Sequence, residues 1–140
     1  YTPKYFSLEK FLTSSTARQK SIENLPSFEV VENLRNLSQF LDWMREDWGS
    51  GINVTSGYRC EKLNNAVAGV ATSCHRLGYA ADLQPANGDM EGFKKFIVEW
   101  LKDKLFDECI IEKSGKTDWI HIQQFSPNGF QRRKVFSLEV

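Results

Sequence analysis

Between Ser27 and Trp48 the apolar residues Val30, Val31, Leu34, Leu37, Leu41, Met44 and Trp48 return at three- and four-residue steps. That period gathers them on one stripe of a helix, and such a stripe faces a core far more often than a ligand. Ser27, after Pro26, suits the N-cap, and Gly49 suits the stop. Residues 52–56 read as a short strand ended by Gly57, and residues 61–67 as a short helix. Residues 70–80 are irregular and rich in Ser, Gly and Ala, and residues 81–83 look extended. A turn at 87–89 opens a second amphipathic helix carrying Phe93, Phe96, Ile97, Trp100, Leu101 and Leu105. Residues 108–113 and 118–124 read as two strands joined by a turn at Ser114-Gly115, and residues 135–138 as a last strand. The first 26 residues carry one or two short helical pieces. Helices first, then strands at hairpin spacing, predict an α+β fold with a central antiparallel sheet and helices to one side.

At 140 residues the chain is expected to be a single domain, 1–140, large enough to bury one core. No stretch approaches the ~20 apolar residues that a membrane span needs. The 18 basic and 18 acidic side chains cancel, which argues against a protein that grips nucleic acid by charge. Tyr1-Thr-Pro-Lys4 shows no basic-then-apolar leader pattern. Three cysteines, Cys60, Cys74 and Cys109, make no even disulfide framework and no CxxC pair, so they are read as small apolar residues. Alternation should turn Cys74 away from its neighbour His75. Tyr58 and Tyr79 are read as packing residues, and Arg132-Arg133-Lys134 as a solvated turn.

The chain holds two histidines, His75 and His121. A catalytic zinc takes three protein ligands and keeps a fourth position open, and two imidazoles with one carboxylate form a common set. Asp82 lies seven residues beyond His75, with Gly78 and two alanines between them, and small residues let such a segment fold back on itself. Along 119–123, Trp119, His121 and Gln123 share one face of a strand while Ile120 and Ile122 share the other. That pattern sends the isoleucines into a core and His121 away from it. Zinc acidifies water, and a carboxylate beside it is useful as proton acceptor and donor. Asp118, at the strand's start, is the candidate if alternation relaxes there. Arg59, just beyond the first strand, is the candidate partner for a developing oxyanion. Spacing alone leaves a metal site and ordinary structural histidines equally open.

Taken together, Ser73-x-His75-x2-Gly78-x-Ala80-x-Asp82 and Trp119-x-His121 resemble the signature of the zinc D-Ala-D-Ala peptidases, which share the Hedgehog/DD-peptidase fold. Val54-Thr55-Ser56-Gly57-Tyr58-Arg59 is similar to the family's strand ending in Ser-Gly-Tyr-Arg. Leu63-Asn64-x-Ala66-Val67-x-Gly69-x-Ala71-x-Ser73 is similar to its lead-in to the metal motif. The resemblance covers residues 6–124. It implies one zinc ion held by His75, Asp82 and His121, with Asp118 as general base and acid. Arg59 would hold the tetrahedral intermediate or a substrate carboxylate, Ser73 would hydrogen-bond substrate, and Trp119 would line the cleft or support the metal strand. It implies hydrolysis of a peptide bond in peptidoglycan stem peptides, by a carboxypeptidase or an endopeptidase acting as a monomer. The rival is a non-catalytic zinc-binding module of the same fold. Cys74 and Arg76 beside the first ligand depart from the usual pattern, and Gln123-Gln124-Phe125 has no assigned role.

Overall fold

A computed structural model describes residues 1–140. Its elements in chain order are α1 (Leu8–Leu12), α2 (Ser15–Gln19), α3 (Phe28–Trp48), β1 (Ile52–Ser56), α4 (Glu61–Ala66), β2 (Ala80–Pro85), α5 (Met90–Trp100), β3 (Glu108–Ser114), β4 (Thr117–Gln123) and β5 (Lys134–Glu139). No helix is long and apolar enough to cross a membrane. Short 3₁₀ turns at Cys74–Arg76 and Leu101–Asp103 complete the elements.

α3 forms as its stripe predicts. The Ser27 hydroxyl accepts from the Val30 N–H at 3.2 Å, and Gly49 closes the helix at φ 77°, a conformation that suits a residue without Cβ. Leu34, Leu37, Leu41 and Met44 are fully buried. They pack with Phe93 and Ile97 of α5 against one face of the sheet, where Ala81, Leu83, Cys109, Ile120 and Ile122 are equally buried. Helix α5 ends at Trp100, so Leu105 lies outside it and is exposed, against the expectation that it continued the stripe.

The sheet runs β1-β2-β4-β3-β5, and the first four strands are antiparallel as predicted. The last strand departs from that reading, because β5 pairs with β3 in parallel. Its crossover is held by Asp107, which is completely buried. The Asp107 carboxylate accepts from Arg132 Nε at 2.8 Å, Arg132 Nη2 at 2.9 Å and the Arg132 N–H at 3.1 Å. Burial pushes this carboxyl group up, but the Arg132 hydrogen bonds outweigh it and hold the group below its ordinary range. Arg133 donates to the carbonyls of Lys104 and Lys102. Residues 132 and 133 are exposed, as a solvated segment should be, and their guanidinium groups also tie down the crossover.

A second buried carboxylate fixes the N-terminal segment. Asp42, on the core side of α3, accepts the backbone N–H groups of Lys4 at 2.7 Å, Tyr5 at 2.9 Å and Phe6 at 3.1 Å, and the Tyr1 hydroxyl. That carboxylate orients Phe6 and α1 over the core. Asp42→Ala leaves three backbone donors and the Tyr1 hydroxyl without their acceptor, and it is expected to cost about 3 kcal/mol of stability. Equilibrium urea unfolding checks this; a loss under ~1 kcal/mol would mean that the segment docks without Asp42.

Candidate metal centre

His75, Asp82 and His121 come from three different pieces of chain and meet on the sheet face opposite α3 and α5. Asp82 of β2 and His121 of β4 are directly opposed in the antiparallel ladder, so their side chains share a face. His75 arrives on the 3₁₀ turn, which Ser73 caps by accepting from the His75 N–H at 3.2 Å. The Asp82 Oδ1 atom lies 3.3 Å from His75 Nε2 and 3.1 Å from His121 Nδ1. All three donor atoms lie within 4.8 Å of one another.

The outer ring nitrogens are tied down. His75 Nδ1 lies 2.8 Å from the Gly57 carbonyl, an acceptor, so Nδ1 carries the proton and Nε2 is the free donor. A Cβ at Gly57 would sit 2.5 Å from the Phe11 carbonyl, so glycine lets the backbone that holds the histidine pass close against α1. His121 Nε2 lies 3.0 Å from Gln123 Oε1. Gln123 in turn donates from Nε2 to Asp107 Oδ2 at 2.8 Å, which fixes its amide orientation and makes His121 Nε2 the protonated nitrogen. A chain from His121 through Gln123 and Asp107 to Arg132 thus links the site to the β5 crossover. Gln123 receives here the role that its sequence did not reveal. Gln123→Leu removes the acceptor that orients His121, and zinc affinity is expected to fall ~10–100-fold, read by chelator competition. An unchanged affinity would show that the ring needs no such support.

The fit to zinc can be tested on geometry. Zinc bonds of ~2.0–2.1 Å in a tetrahedron place neighbouring donors roughly 3.4 Å apart. The two Asp82–His separations match that spacing, and two imidazoles with one carboxylate are ligands that zinc takes. The charges suit it too. Burial pushes His75 down, so it is neutral at neutral pH. Burial would raise Asp82, but the two histidines outweigh it and keep the carboxyl well below its usual range, hence ionised. Burial would lower His121, but its hydrogen bond to Asp82 wins and the net shift is upward. A proton must therefore leave His121 when a cation enters at any pH below that raised value. Zinc affinity is expected to fall by about tenfold per pH unit as the pH drops below it, and to level off above it. A pH series of zinc competition titrations reads this slope, and a flat profile down to pH 5 would contradict the assignment.

A cavity of about 450 Å³ opens over this cluster. Its walls include Arg59, Ser73, Cys74, Glu112 and Trp119 together with the three donors. Arg59 is fixed by Nη1 donating to Asn64 Oδ1 at 3.2 Å, while its buried Nε has no partner. A Cβ at Gly69 would overlap Asn64 at 2.1 Å, so the glycine makes room for this support. Burial pushes the Arg59 guanidinium down, against the pull of Asp82 and Glu112. Cys74 is buried, with its thiol directed to the Phe125 carbonyl and pushed up to about 11 by burial, so it stays a neutral thiol turned from the donors. Cys109 is buried as well, whereas Cys60 is half-buried and caps α4 through its sulfur. Tyr79 packs on Phe125, and Tyr58 is buried, as packing residues.

Asp118 is the exception among the predicted site residues. The β3–β4 ladder runs without interruption through Glu112↔Trp119 and Lys113↔Asp118 to Ser114↔Thr117. Alternation therefore holds at Asp118 and turns it to the face of Ile120 and Ile122. There its Oδ2 atom lies 3.0 Å from Lys94 Nζ on α5. It lines a separate cavity with Gln84 and Met90. The expectation that Asp118 serves the metal as base is corrected by this placement. Glu112, inside the predicted strand 108–113, lies on the metal face and lines the cavity.

A family model for Peptidase M15 matches residues 4–123. No curated protein matches the chain.

Proposed function

The chain belongs to the Peptidase M15 family, the family of zinc D-Ala-D-Ala peptidases that its motifs resemble, and we propose that it is a zinc-dependent peptidase cutting a peptide bond in peptidoglycan stem peptides. The observation that carries this reading is the convergence of His75 Nε2, Asp82 and His121 Nδ1 beside a cavity that also presents Arg59. One zinc ion per chain, when bound, supplies a Lewis acid that acidifies a water and polarises the scissile carbonyl. The guanidinium of Arg59, whose Nε is unpartnered, would hold the oxygen on which charge develops. Ser73 and Trp119 line the route by which the peptide approaches.

Arg59 and Asp82 also line a second cavity of about 480 Å³, walled by residues 13–16 and by β1. The metal centre thus stands where two cavities meet. Substrate on both sides of the scissile bond has somewhere to lie, which favours an internal cut over removal of a terminal residue. We assign the activity to residues 1–140 acting as one domain and as a monomer. Purified peptidoglycan treated with the zinc-loaded protein should release fragments whose masses report hydrolysis inside the stem peptide. Full zinc occupancy with no change in any muropeptide would instead make the chain a binding module.

A further inference from the structure

With Asp118 on the far face, the reaction needs another proton carrier, and we infer that Glu112 is the general base and acid of this site. This rests on the peptidase reading above. Glu112 is directly opposed to Trp119 across the β3–β4 ladder, and Ile110 is opposed to His121. Opposed residues share a face, so Glu112 is the diagonal neighbour of His121 on the metal side, roughly 7–8 Å away between backbones and within reach of a long side chain. It lines the cavity with the three donors and Arg59.

The other acidic groups near the cavity are spoken for. Asp82 is the ligand. Glu108 is ion-paired with Arg132 at 2.8 Å. Asp107 lies beneath Gln123, and Asp118 is paired with Lys94. Glu112 has no ion pair. Its single hydrogen bond comes from Trp119, whose Nε1–H donates to Oε2 at 2.6 Å. That bond orients the carboxylate and leaves Oε1 free. Trp119 then acts through Glu112 as a positioning residue, in addition to lining the cleft.

The step balances. Glu112 Oε1 takes a proton from the attacking water as the water oxygen bonds to the scissile carbonyl carbon. The C–N bond then breaks, and Glu112 returns the proton to the departing amine nitrogen. A peptide and a water become a carboxyl group and an amine, and Glu112 ends ionised as it began.

Glu112→Gln keeps an oxygen to accept from Trp119, so it tests the charge alone. The variant is expected to bind one zinc with parental affinity, to lose ~10²–10⁴-fold in kcat on muropeptides, and to lose the acid limb of the pH profile. Asp118→Asn should stay within threefold of the parent. The cobalt-substituted forms give a readout that needs no substrate: the pH midpoint of their visible spectrum should move in Glu112→Gln and stay in Asp118→Asn. Parental turnover in Glu112→Gln, or superimposable cobalt titrations, would overturn the assignment. If the parent cleaves no peptidoglycan peptide, the peptidase reading fails, and the cobalt midpoints still decide whether Glu112 faces the metal water.

Discussion

Arg59→Ala should bind a full equivalent of zinc and still hydrolyse stem peptides ~10²–10³-fold more slowly, the loss typical of removing one donor to a developing oxyanion. The structural reason is specific. Arg59 follows the Gly57-Tyr58 corner, its backbone N–H bonds to the His75 carbonyl at 3.1 Å, and Asn64 fixes one arm of the guanidinium. Its Nε is buried without a partner, so a donor is already desolvated and waiting for an acceptor. Arg59→Lys should recover little, because a lysine cannot reach Asn64 and the substrate oxygen with a rigid planar fork. Steady-state kinetics with zinc content measured on the same samples checks both variants. Turnover within a few-fold of the parent would remove Arg59 from the chemistry.

His121→Ala should lose both zinc and activity together. Both ring nitrogens of His121 are engaged, one toward Asp82 and one toward Gln123. Without it the remaining His75 and Asp82 offer two donors, and two donors do not make a closed zinc site with an open fourth position. Zinc should fall from one equivalent to none after dialysis against micromolar chelator, and hydrolysis should fall to background. Retention of tightly bound zinc would mean that the cation sits elsewhere.

The fold was legible where periodicity alone decides a residue's surroundings. The α3 stripe and the Ile120/Ile122 alternation need no long-range information, and apart from Val31 these residues lie in or against the core as their spacing predicts. The same alternation, applied one step earlier, places Asp118 with the isoleucines. Relaxing it at the strand end puts Asp118 on the metal face, whereas β3 keeps pairing with β4 as far as Thr117 and turns it to the other. Glu112 was invisible for the converse reason. Its role depends on which β4 residue stands opposite it, and register is not written in β3 itself. The parallel direction of β5 and the docking of the N-terminus likewise depend on buried carboxylates, Asp107 and Asp42, whose bonds to Arg132 and Phe6 span 25 and 36 residues. The His75, Asp82 and His121 cluster is legible in the sequence because histidine is scarce in this chain and the spacing is shared with the matched family.

The central claim is that His75, Asp82 and His121 close on one cation while a fourth direction stays open to the cavity. A crystal of the zinc-loaded protein, with diffraction recorded on either side of the zinc absorption edge, tests it most directly. A single anomalous peak is expected at ~2.0–2.2 Å from His75 Nε2, His121 Nδ1 and an Asp82 oxygen, with the remaining direction facing Arg59 and Glu112. A peak on any other set of residues, or none at full zinc loading, would contradict the account.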